Sequence, residues 1–270
     1  MVQCRYLKIL ITFGGIIELK KLNLRTPKPY DYSSVSGTDN SRAIFYCVSE
    51  GATEESYFTG IKNNRVELDI KNDVHIEVVE KEEGYENYSH PEQLVRACLY
   101  NMGRIDKEGN EISEEKWELN CKWNYRQEVD VVCVIFDRDY RGLEGCLSEL
   151  FEVCKKHNIY VAISNPNFEL WLLMHFPEIQ QYDMDLLLRN PKNLRGQFFA
   201  DASKNKKYIE ILLSKLLQGY SKGSKIKFER FIKGVPLAIK QAGLFCEEFE
   251  LLDESLGTTV GKLIKRMQQW

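Results

Sequence analysis

Three acidic residues hold the positions from which chemistry could be run. Glu50 follows the apolar run Ala43–Val48, and Asp137 and Asp139 follow the apolar run Val129–Phe136. Alternate residues of an extended segment point the same way, so Asp137 and Asp139 can turn both carboxylates toward one ion. Three carboxylates brought to one spot repel one another unless a cation lies between them. An oxygen-only donor set of this kind favours Mg²⁺ or Mn²⁺ over zinc. Mg²⁺ held by few carboxylates keeps coordination sites open for phosphate oxygens, which suits phosphodiester chemistry. A D-x-D pair by itself is also ordinary turn chemistry after a strand. The Glu-Gly turn after an earlier strand is what tips the balance.

The elements that must position these acids follow from apolar patterning. Ala43–Val48 (AIFYCV) and Val129–Phe136 (VDVVCVIF) are continuous apolar runs, as expected of strands covered on both faces. Further strands are predicted at Val74–Val79 and Ile159–Ile163, with helices from about Glu54, at 91–102, at 143–157 and from Asn167 to His175. Thr53 is placed to cap the first of these helices. Strands alternating with helices predict an α/β fold with a mainly parallel, doubly wound sheet flanked by helices. In such sheets ligands bind at the carboxyl ends of strands, where Glu50, Asp137 and Asp139 fall. Gly51 lets backbone and phosphate come close to the carboxylates. Residues 104–126 are largely polar, with Trp117 and Trp123, and read as an insertion. From Tyr182 onward the pattern is helical, with no strand expected. The chain is thus divided into an N-terminal extension and linker (1–42), a catalytic domain (43–180) and a basic helical C-terminal region (181–270).

The formal net charge of −3 does not mark a nucleic-acid binder, but its distribution is uneven. Residues 189–240 carry 13 Lys or Arg against 3 Asp or Glu, a balance of +10 that leaves −13 elsewhere. Lys204, Lys206, Lys207, Lys222, Lys225, Lys227 and Arg230 alternate there with aromatics such as Tyr208, Tyr220 and Phe228. This is a candidate phosphate-binding tract, with a solvated helical face and core aromatics as the alternative. None of the eight cysteines forms a C-x-x-C pair, so neither a zinc ribbon nor a redox dithiol is expected. A reduced, cytoplasmic chain is the simpler interpretation. Ile9–Ile17 is too short to span a bilayer and reads as a hairpin around Gly14-Gly15, so no membrane role is expected.

Three blocks, in order, resemble the RloB-like family. Val48–Phe58 (VSEGATEESYF) is similar to its E-G-x-T-E-x-x-Y-F opening, and Phe136–Asp139 matches F-D-R-D. Ala162–Phe176 (AISNPNFELWLLMHF) resembles S-N-P-x-F-E-L-W-L-L-x-H-F, and Gly257–Leu263 is more loosely similar to a C-terminal block. The resemblance implies a Toprim, Rossmann-like fold and a Mg²⁺-dependent (or Mn²⁺-dependent) endonuclease acting on DNA, tRNA or other RNA. It makes Glu50 a general acid/base or metal ligand, and Asp137 and Asp139 metal ligands. Glu54 is either a further acid of that centre or a helix first-turn acid favoured by the macrodipole. Glu169 is either a metal or base residue or a capping acid. His175, in an apolar helix, is read as a satisfied core histidine. The resemblance further implies an abortive-infection effector of anti-phage defence, working beside an ABC-type or AAA-type ATPase, since this chain carries no G-x-x-x-x-G-K-[ST] motif. A homo-oligomer is left open. The alternatives are a non-catalytic nucleic-acid-binding or regulatory subunit with a vestigial site, and, ranked lower, primase-like transfer.

Overall fold

The computed structural model describes residues 22–27, 43–85, 90–138, 147–177, 179–192, 206–223 and 226–270. Its strands are β1 (Ala43–Ser49), β2 (Val74–Val79), β3 (Val131–Asp137), β4 (Ile159–Asn165) and β5 (Gly257–Thr258). They form one mixed, mostly parallel sheet in the order β2-β1-β3-β4-β5, an α/β fold. The helices are α1 (Ala52–Asn63), α2 (Pro91–Asn101), α3 (Trp117–Asn120), α4 (Leu147–Lys156), α5 (Phe168–Leu173), α6 (Met184–Arg189), α7 (Tyr208–Leu216), α8 (Val235–Ala242) and α9 (Val260–Gln269), joined by short 3₁₀ turns. Among the described residues no helix is long and apolar enough to cross a membrane.

The described residues divide into two compact units. One holds those of 1–51, 72–134 and 144–161, and the other those of 52–71, 135–143 and 162–270. In the first, every residue of β1 is buried, as a strand without apolar/polar alternation must be. β1 pairs in parallel with β2, in register from Ala43 with Val74 to Val48 with Val79. β2 lies at the sheet edge and accordingly mixes buried with half-exposed positions. The predicted hairpin in residues 9–17 lies outside the described residues. Leu22 and Leu24 are buried, and Leu24 bridges to Lys81.

The stretch read as a polar insertion packs closely in this first unit. Trp123 stacks on Tyr46 of β1, with ring centroids 5.1 Å apart, and the Tyr46 hydroxyl donates to the Asn124 carbonyl at 2.8 Å. Asp130, with a fully buried side chain, accepts from the backbone N–H of Ile44 at 2.9 Å and of Arg126 at 2.7 Å, and pairs with the Arg126 guanidinium at 3.0 Å. A carboxylate so surrounded ties β1 to the turn before β3. Cys98 and Cys154 are buried thiols whose pKa values burial pushes up, for Cys154 to about 12. They behave as small hydrophobes.

The second unit holds α1, the carboxyl ends of β3 and β4, and everything from α5 onward. Here the expectation of no strand after Tyr182 needs correction, because β5 pairs antiparallel with β4 (Ser164 with Thr258, Asn165 with Gly257). Two residues are too few to show a period of two, so apolar patterning could not reveal it. Its signal was Gly-Thr-Thr. A Cβ at Gly257 would lie 1.9 Å from the Cys246 carbonyl oxygen, and the Thr259 hydroxyl accepts from the Ile163 N–H at 2.9 Å.

Candidate active site

Asp137 is the last residue of β3 and is half-buried. Its Oδ1 accepts the backbone N–H of Phe168, the first residue of α5, at 2.7 Å. Helix starts leave backbone N–H groups without intrahelical partners, and here the acid of the F-D-R-D block supplies one acceptor. Asn167, at the cap position, makes no side-chain cap bond. Both of its amide atoms are buried without a partner among the described residues. The residue after β3, Arg138, donates its backbone N–H to the Ser164 carbonyl at 2.9 Å, and its guanidinium pairs with Asp253. Asp139 lies outside the described residues.

Glu50 belongs to the first unit, in the turn directly after β1, and is half-buried. Its carbonyl accepts from Lys81 Nζ at 2.6 Å. Helix α1 begins at Ala52, two residues before the expected start. Thr53 therefore sits inside the helix, and its hydroxyl accepts the N–H of Gly223 at 2.8 Å rather than capping. Glu54, in the first turn of α1, is 6% exposed.

Glu169 is 2% exposed, and both its oxygens are engaged. The Tyr220 hydroxyl donates to Oε1 at 3.0 Å, and Lys222 Nζ lies 3.0 Å from Oε2 and 3.1 Å from Glu210 Oε1. Burial opposes the charge on Lys222, but the two carboxylates outweigh it and push the ammonium pKa up. The Tyr220 phenol is also pushed up, first by burial and then by Glu169, Glu210 and Glu54, so it stays a donor. Glu169 and Glu210 thus face Lys222, and Glu54 adds its charge near Tyr220. The sequence marked Tyr220 only as an aromatic among the cations and did not mark Glu210, because each sits more than forty residues from the Glu169 motif.

The basic tract is divided in the structure. Lys222 is the counter-ion just described, and Lys206 Nζ donates to Ser214 Oγ at 2.7 Å and the Tyr220 carbonyl at 3.1 Å. The Arg230 guanidinium donates to the carbonyls of Leu217 and Gly219. Lys207 is half-buried and Lys227 exposed, while Lys204 and Lys225 lie outside the described residues. Of the aromatics interleaved with these cations, Tyr208, Tyr220, Phe228 and Phe231 are core.

His175 is buried, as expected of a core histidine. Its Nδ1 lies 2.9 Å from the Trp171 carbonyl, which can only accept, so Nδ1 carries the proton. Nε2 then accepts from the Tyr57 hydroxyl at 2.9 Å. This bond joins the Y-F of the first sequence block to the H-F of the third.

Glu50, Asp137 and Asp139 offer oxygen donors only, which fits a hard divalent cation and not zinc. Among the described residues no three His, Cys, Asp or Glu side chains form a group that could hold a metal ion.

The chain is therefore an α/β protein with an acid at the carboxyl end of a central strand and Glu169 and Glu210 gathered on Lys222. A family model described as RloB-like protein matches residues 45–267, and the chain belongs to the RloB-like family. No curated protein and no solved structure was found to match it.

Proposed function

We propose that this protein is a Mg²⁺-dependent (or Mn²⁺-dependent) nuclease of the Toprim type. In this reading it is an anti-phage abortive-infection effector working with an ABC-type or AAA-type ATPase. The observation that carries the reading is the position of Asp137, at the carboxyl end of a strand inside the sheet, with its carboxylate fixed by the Phe168 N–H. Glu50 follows the end of β1, which neighbours β3 in the sheet order, and open α/β sheets bind ligands at such ends. Glu50, Asp137 and Asp139 are assigned as the ligands. Bound Mg²⁺ would supply polarisation of a phosphodiester and a water of lowered pKa. Within the chain, Phe168 N–H orients Asp137, and Glu50 takes the acid/base role. Glu169, with both oxygens engaged, is better suited to positioning Tyr220 and Lys222 than to abstracting a proton. Glu54 is assigned with it to the acids surrounding Tyr220.

The Lys222 ammonium among Glu169 and Glu210 favours one competing reading, a non-catalytic nucleic-acid-binding or regulatory subunit whose acidic cluster is neutralised internally. The two separate on incubation of purified protein with plasmid, single-stranded DNA and tRNA in Mg²⁺, Mn²⁺ or EDTA, with and without the ATPase. Metal-dependent cleavage supports the nuclease. A protein that binds nucleic acid but stays inert with its partner present supports the binding subunit.

A further inference from the structure

Within the second unit, a cleft of about 620 Å³ opens one residue beyond Asp137. Among the described residues Arg138, Arg189, Lys192 and Lys207 line it against one carboxylate, Asp253. Arg189 and Lys192 are exposed, as suits cations meant for a partner in solvent. Asp253 pairs with the Arg138 guanidinium through one oxygen that both Nε and Nη2 approach. The turn that presents it is held by Asn165, whose Nδ2 donates to the Leu252 carbonyl at 2.7 Å and the Ser255 carbonyl at 3.1 Å. The Asp253 side chain remains 41% exposed, so a competing anion can reach the pair.

The cleft wall contains a second, independent feature. Asn190 is 6% exposed and lies in the left-handed conformation just after α6. Its Oδ1 accepts the Ile209 N–H at 3.0 Å, which fixes the amide orientation. Its Nδ2 is then a buried donor with no acceptor among the described residues. A buried donor left unpaired is costly. That cost is removed when an acceptor arrives.

We infer that this cleft is a subsite for backbone phosphate of a nucleic-acid strand. A phosphate oxygen replaces Asp253 on Arg138, and another accepts from Asn190 Nδ2. This rests on the nuclease reading and adds to it where the strand beside the reacting phosphodiester is held. A guanidinium fork matches phosphate as well as carboxylate, so the exchange conserves geometry. Spaced cations such as Arg138, Arg189, Lys192 and Lys207 suit a polyanion better than a free nucleotide. Asp253 acts as a resident stand-in for phosphate, which an incoming strand displaces.

The test is fluorescence anisotropy of a labelled single strand of about 20 nucleotides, long enough to cover more than one site, with EDTA present so that cleavage plays no part. Arg189→Ala/Lys192→Ala should weaken binding at least tenfold at low salt. It should also flatten the log–log salt dependence by about 1.4, from two phosphate contacts at about 0.7 each. Asp253→Asn should tighten binding severalfold. Thermal melts show whether either variant has lost its fold, and both sites are exposed enough for the folds to survive. Unchanged affinity and slope in the double variant would overturn the assignment. So would Asp253→Asn binding no tighter than wild type, or adenosine monophosphate competing as well as the strand at equal phosphate concentration. Cleavage in Mg²⁺ is scored separately. An inert protein with the expected binding pattern loses the nuclease reading and keeps the cleft, and an active one with unchanged binding does the reverse.

Discussion

Acidification should destabilise this protein through His175, and the size of the effect follows from its surroundings. The ring is enclosed by Tyr57, Trp171 and Phe231, with centroids 5.6, 5.1 and 5.4 Å away. Both nitrogens are committed, Nδ1–H to a carbonyl and Nε2 to the Tyr57 hydroxyl. A second proton on Nε2 would displace that hydroxyl with no carboxylate in contact to compensate. Burial therefore holds the pKa down at about 4, against the usual 6.5. The unfolded chain takes up a proton once the pH falls below 6.5, while the folded chain resists until about 4. Stability is thus full above 6.5 and declines as pH falls through that window, because the unfolded state binds more protons there. The complete loss is about 3 kcal/mol, of which about 2 kcal/mol is reached by about pH 5. For a chain of this size that corresponds to a Tm drop of roughly 4–8 °C. Circular-dichroism melts of wild type and His175→Gln, from neutral pH down to about pH 5, isolate the contribution from other titrating groups. Wild type should lose that much more Tm than the variant. Two pH profiles that superimpose after a constant offset would refute the reasoning.

Two further substitutions probe the other buried charges. Lys222→Met strips the cation from Glu169, which is 2% exposed, and should cost about 1–3 kcal/mol, discounted because the Lys222 side chain is partly solvated. Chemical denaturation measures it, and Glu169→Gln in the same chain should recover part of the loss. No recovery would mean the pair is not coupled. Asp130→Ala removes the acceptor shared by the Ile44 and Arg126 N–H groups and should cost about 2–4 kcal/mol, with faster amide exchange at Ile44. Unchanged exchange there would contradict the assigned bond.

The strands inside the sheet were legible because burial on both faces leaves an uninterrupted apolar run, as in Ala43–Val48 and Val131–Phe136. The two-residue β5 was not, because its pairing rests on threonine hydroxyls and on a glycine that a Cβ could not replace, neither of which shows as periodicity. Helix α1 was placed two residues late because Thr53 carries a capping residue type whose hydroxyl is instead taken by Gly223, 170 residues away in sequence. The acids after strands were readable as types at strand ends. What they contact was not, since Phe168 N–H on Asp137, and Tyr220 and Lys222 on Glu169, are set by tertiary packing. Charge counting over 189–240 likewise gave the excess of cations but not its division. Lys206, Lys222 and Arg230 hold groups of the chain itself, and Arg189, whose Nε also donates to the Asp185 carbonyl, lines the cleft at Arg138 with Lys192 and Lys207.

The central claim is that Asp137 serves a metal-dependent cleavage centre. It is tested most directly by the Mg²⁺-dependent cleavage rate of nucleic acid by wild type and Asp137→Ala, purified alike and assayed with and without the ATPase proposed as a partner. Wild type should cleave, and both EDTA and the substitution should abolish that cleavage with folding retained. Cleavage that survives in Asp137→Ala would contradict it.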